Sequence, residues 1–67
     1  MTAKKFVKIL LSLGFVRCHQ TGSHLIFKHP DSRITTVSMH VGDIATGTVR
    51  QILKDINLSE EELRKML

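Results

Sequence analysis

Cysteine occurs once in the 67 residues, as Cys18. A single thiol excludes an intramolecular disulfide and a cysteine-based zinc site. Cys18 therefore reads as a small buried apolar residue. No apolar run approaches the roughly 20 residues a bilayer-spanning helix needs. The opening "MTAKKFVKILLSLGF" is basic and then apolar, but Lys8 interrupts it and no small-residue cleavage site follows. It reads as a helix of the fold, and the protein as cytoplasmic. Internal repeats and low-complexity segments are missing. So short a chain is one domain, residues 1–67. It buries only about 60% of its unfolded surface and leaves no room for a cofactor domain or a deep pocket.

Acidic residues are few and unevenly placed. Ten Lys/Arg face six Asp/Glu, for a net charge of +4. Three of the acids are Glu60, Glu61 and Glu62, so residues 1–58 set eight Lys/Arg against three Asp, a charge of +5. A field of that sign on so small a body favours nucleic acid or an acidic protein partner.

What is present sorts into six elements. Thr2 suits a helix N-cap and Gly14 a C′ position. Between them Phe6, Val7, Leu10, Leu11 and Leu13 recur at spacings of three and four, the stripe of an amphipathic helix. Residues 15–20, 23–29 and 33–40 are rich in β-branched and aromatic types. Thr21-Gly22 and Pro30-Asp31-Ser32 separate them, which predicts a three-stranded antiparallel meander. Residues 41–46 form a loop. Thr46 or Thr48 caps a second helix over about 47–56, with Val49, Ile52, Leu53 and Ile56 as its stripe and Asn57 as a left-handed C-cap. Ser59 to Glu62 is a capping box opening a short third helix, with Leu63 and Leu67 apolar.

A register follows from the turns. A two-residue turn at 21–22 pairs Gln20 with Ser23, setting Val16 opposite Phe27, Cys18 opposite Leu25 and His19 opposite His24. A three-residue turn at 30–32 pairs His29 with Arg33, setting Leu25 opposite Val37 and His24 opposite Ser38. Strand alternation then gives a core face of Val16, Cys18, Leu25, Phe27, Thr35, Val37 and Met39. The other face carries Phe15, Arg17, His19, His24, Ile26, Lys28, Ile34, Thr36, Ser38 and His40. Both helices pack on the apolar face, so the basic, histidine-rich face stays open to solvent.

Two chemistries suit that face. Four histidines invite a metal, but neither a helical HxxxH nor a carboxylate accompanies them there, so no metal or other cofactor is expected. RNA cleavage needs none. RNA supplies its own nucleophile, the 2′-OH; the enzyme adds a base for its proton, donors for the charged phosphorane and an acid for the leaving 5′-oxygen. Histidine titrates near neutrality and serves as either acid or base. Arg17, Ser23 and Lys28 are placed to hold phosphate, Gly22 allows close approach, and His19 or His40 is a candidate second proton-transfer group. On residues alone, a non-catalytic RNA-binding module using the same face stands beside the nuclease, and a pure protein-interaction domain is a third class.

The chain resembles the HicA-type mRNA interferase toxins of toxin–antitoxin pairs. The resemblance rests on a linked set covering nearly the whole length: "LLSLGFV" at 10–16, "QTGSH" at 20–24, an aromatic at 27, "HPD" at 29–31, "MHVG" at 39–42 and "GTVRQIL" at 47–53. It implies an α+β, double-stranded-RNA-binding-domain-like α-β-β-β-α fold. It implies a ribonuclease that cleaves mRNA and a HicB-type antitoxin that binds and blocks the site. The catalytic histidine of the family's Gly-Ser-His motif corresponds to His24. Arg17, His19, Ser23, Lys28 and His40 are the accessory candidates on the open face. Two positions depart from the pattern: His19 stands where Arg is common, and Ser32 where Gly is common.

Overall fold

In a computed structural model, which describes residues 1–39 and 42–67, the order is α1 (Ala3–Ser12), β1 (Val16–Thr21), β2 (His24–Lys28), β3 (Ile34–Ser38), α2 (Thr46–Ile56) and α3 (Glu60–Lys65). The strands form one antiparallel sheet in the order β1-β2-β3. Expected His40 falls outside the described residues. Among those described, no helix is long and apolar enough to cross a membrane.

The helix ends follow local chemistry. The Thr2 hydroxyl accepts from the Lys5 amide at 3.2 Å and starts α1. At its other end Gly14 has φ +96°, the Gly14 amide donates to Leu11 O and the Phe15 amide to Leu10 O. This pair of bonds is a Schellman motif, and it folds Phe15 back beneath the helix. Asn57, at φ +56°, ends α2 the same way, with Leu58 N–H reaching Leu53 O. The Ser59–Glu62 capping box is closed in both directions. α2 differs from expectation at its start: Ala45 is the N-cap, neither Thr46 nor Thr48 caps it, and no side chain does. The chain entering α2 is already pinned, because the Ile44 amide donates to Met1 O, so the helix begins at Thr46.

The core contains Ala3, Phe6, Ile9 and Leu10 of α1, Phe15, Leu25 and Phe27 of β2, Val37 of β3, Ile52, Leu53 and Ile56 of α2, and Leu63 of α3. Both main helices lie on the side of Leu25, Phe27, Thr35 and Val37, over β2 and β3. Among the described residues Thr35 is the one buried polar residue, and its hydroxyl donates to Asp55 at 3.0 Å. Such a bond removes the penalty of burying it. Within the α1 stripe the structure replaces Leu11, which is exposed, with Ile9. Leu67 is exposed rather than packed.

The second hairpin has the expected three-residue loop. Pro30 and Asp31 sit at the centre of a turn closed by the Ser32 amide on His29 O, and Ser32 follows at φ +85°. A type I turn followed by one left-handed residue is a common three-residue hairpin. The expected β2–β3 pairs, Leu25 with Val37 and His24 with Ser38, are present.

The first hairpin differs. Thr21 pairs with His24, so the turn is Gly22-Ser23, not Thr21-Gly22. Gly22 has φ +57° and Ser23 lies outside the positive-φ set, which puts Gly first in the turn as type II′ requires. Moving the turn by one residue moves the pairing by two, so His19 keeps its face but meets Ile26 rather than His24. A bulge between Arg17 and His19 then reverses the remainder: Arg17 meets Phe27 and Val16 meets Lys28. Val16 and Cys18, expected in the core, are exposed, Val16 at 57%. The bulge turns Val16 to the open face, and Cys18 lies at the bulge on a strand exposed along its whole length. Phe15, expected on the open face, is 2% exposed because the α1 terminus tucks it inward. Met39 packs against the core but is only partly buried.

Candidate functional site

The open face resolves into three rows running across the strands. Directly opposed residues on an antiparallel sheet project to the same side. At the Gly22 end lie Thr21, His24 and Ser38; next come His19, Ile26 and Thr36; farthest away are Val16, Lys28 and Ile34. None of these nine residues is acidic.

His24 is the first residue of β2, directly after the turn, and its position is held from both flanks. The Gln20 side-chain amide donates to Gly22 O at 3.2 Å, and the Met39 amide donates to Ser23 O at 2.6 Å. The first bond spans the β1 side of the turn and the second ties it to the end of β3. His24 itself is exposed and, among the described residues, takes part in no side-chain hydrogen bond or ion pair. A Cβ built on Gly22 would meet nothing within 4 Å, so the turn beside His24 opens onto solvent.

The other expected residues divide. His19 shares the face as a diagonal neighbour of His24, across one residue pair, a separation of about 7–8 Å between backbones. Lys28 is on the face but two rows away. Ser23 is half-buried in the turn, contributing its carbonyl to the Met39 bond. Arg17 is exposed at the edge but pairs with Phe27, so the bulge turns it to the helix side and away from His24. Gln20 had no expected role, yet it holds the turn. Its place in the "QTGSH" string is the signal that marks it.

His29, which sequence alone groups with the other three histidines, is consumed by the fold. Its Nε2 lies 3.1 Å from Leu13 O, and its ring meets Phe15 edge-on at 5.0 Å between centroids. The carbonyl only accepts, so Nε2 carries the proton. In the neutral ring Nδ1 accepts from the Asp31 amide; once protonated there, it faces the Asp31 carboxylate at 3.0 Å as an ion pair. Arg33 completes the cluster. Its Nε donates to both Asp31 oxygens, an Nη reaches Ile56 O, and its guanidinium lies 5.1 Å from the Phe15 ring centre. The Arg33 hydrogen bond is the main cause that holds the Asp31 carboxyl below the usual carboxylate range. Among the described residues, no three His, Cys, Asp or Glu side chains converge as a metal-binding group.

The family model described as "HicA toxin of bacterial toxin-antitoxin" matches residues 3–58, which span α1 through the end of α2. A search of curated proteins found no match.

Proposed function

The chain belongs to the HicA toxin family of bacterial toxin–antitoxin systems, and from that premise we propose that it is an endoribonuclease that cleaves mRNA on its open sheet face, with His24 as the catalytic residue. The observation that carries this reading is the contrast between the histidines. His29 is spent on the fold, whereas His24 stands exposed on an acid-free face at the end of a pinned turn.

The chemistry needs little else. His24 takes the proton of a 2′-OH as that oxygen attacks the adjacent phosphorus; the P–O5′ bond breaks, and the leaving oxygen takes up a proton. The products are a 2′,3′-cyclic phosphate and a 5′-hydroxyl. Thr21 and Ser38 flank His24 with hydroxyls that donate to the phosphoryl oxygens. His19, on the same face, is the candidate second proton-transfer group. Lys28 attracts the RNA backbone, Ser23 positions the turn, and Arg17 meets RNA that runs over the sheet edge. His40 belongs to the same proposal. The reaction uses no cofactor. A HicB-type antitoxin in the cytoplasm is the proposed inhibitor.

The test incubates purified protein with RNA in excess chelator, alongside His24→Ala. Fragments from the wild-type chain and none from the variant support the proposal. Cleavage that disappears with chelator, or that survives in His24→Ala, overturns the metal-free His24 mechanism. RNA binding without cleavage leaves the non-catalytic binding module.

A further inference from the structure

The row farthest from His24 is chemically unlike the rest of the face. Lys28 sits at its centre, with Val16 directly opposite on β1 and Ile34 directly opposite on β3. Ile26, two residues along β2, borders the same group. Val16 and Ile34 are 57% and 49% exposed, and Ile26 is half-buried. Three β-branched aliphatics thus surround one cation. Among the described residues, none of the ion pairs includes Lys28.

Aliphatic side chains gain nothing from a phosphate backbone, and they do not stack on bases as aromatic rings do. All three phenylalanines of the chain are in the core. A surface that joins exposed aliphatic area to a central positive charge fits a protein segment carrying a carboxylate between apolar side chains. We propose that the Val16–Lys28–Ile34 row is the docking surface for the antitoxin that a toxin of this family is paired with, a carboxylate of that partner meeting Lys28 and its apolar side chains covering Val16 and Ile34. The inference rests on the toxin–antitoxin assignment but not on His24 being catalytic. The row lies four residues along β2 from His24, about 13 Å. Docking and catalysis are therefore separable by mutation.

The experiment uses the full chain and the protein encoded by the neighbouring reading frame. The variant Val16→Thr/Ile34→Thr removes the apolar surface and keeps β-branched residues, so the strands are preserved; a melting curve verifies this, with Ile34→Thr alone as the milder variant. Binding is measured by calorimetry and RNA cleavage by gel. We expect at least a tenfold weaker Kd for the double variant, cleavage within twofold of wild type, and undiminished binding by His24→Ala. Unchanged affinity in the double variant overturns the proposal. So does lost cleavage with intact binding, which assigns the row to RNA. Absence of cleavage in the wild-type chain defeats the nuclease reading alone, since the binding arm is read without it.

Discussion

His29 Nε2 and the carbonyl of Leu13 meet at 3.1 Å, joining the end of β2 to the end of α1 across sixteen residues. The bond supplies a donor to one of the helix's last carbonyls, which otherwise lack partners. It also sets the imidazole against Phe15 at the base of the core. Gly14, Phe15, His29, Asp31 and Arg33 thereby form one joint, and it lies at the opposite end of β2 from His24.

The two histidines should separate in a stability measurement. His29→Ala loses a half-buried hydrogen bond and an aromatic contact, together about 2 kcal/mol. That lowers Tm by roughly 10 °C in a domain of this size. His24→Ala removes an exposed side chain, and its Tm should stay within a few degrees of wild type. Thermal unfolding followed by circular dichroism checks both. A His24→Ala protein that melts like His29→Ala would falsify the division of roles.

Gly14→Ala should be costly for two independent reasons. The backbone there has φ +96°, which L side chains rarely adopt, and the new Cβ would lie 3.1 Å from His29 Nε2. The strain alone costs about 1–2 kcal/mol, and displacing His29 adds to it. Chemical denaturation should show a lower midpoint with an unchanged slope. In the His29→Ala background the penalty of Gly14→Ala should shrink, because the clash is gone and only the backbone term remains.

Ser32→Gly should stabilise. Ser32 holds φ +85° at the end of the β2–β3 turn, and a residue lacking Cβ relieves that strain. The gain, set against the greater freedom of glycine in the unfolded chain, is about 0.5–1 kcal/mol. An upward shift of Tm by several degrees is expected; an unchanged or lower Tm contradicts it.

Asp31→Asn should make stability less sensitive to acid. Arg33 holds the folded-state Asp31 carboxyl below its unfolded value. A depressed carboxylate contributes stability that is fully present above the unfolded pKa, about 4, and disappears as pH falls through the folded value. Wild type should therefore exceed Asp31→Asn in denaturation midpoint at pH 6, and the gap should close as the pH is lowered below about 4. A gap that persists at low pH means that the carboxylate's charge is not the source.

Several of these features were legible before the structure. Thr2, Gly14, Asn57 and the Ser59–Glu62 box each act within four residues of themselves, so local chemistry sufficed to place the helix ends. The 30–32 turn was legible for the same reason: Pro30 sets the turn and Ser32 closes it. The β1–β2 turn was not, because Thr21-Gly22 and Gly22-Ser23 both satisfy a two-residue rule, and only the pairing of whole strands selects between them. His19 kept its face because a shift of two preserves alternation. Arg17 lost its place to a bulge that no composition announced.

The sequence by itself determined the order of elements, the two Schellman ends, the β2–β3 register and the placement of His24 opposite the buried Leu25 and Phe27. These depend on contacts short in sequence and on strict alternation along β2. Tertiary structure alone decided that β1 lies outside the cover of the helices, that Cys18 and Val16 face solvent, that Phe15 turns inward and that His29 is bonded into the fold while His24 is exposed. Each of those outcomes depends on which surfaces meet across the fold, and two residues with the same side chain differ only in what packing brings against them.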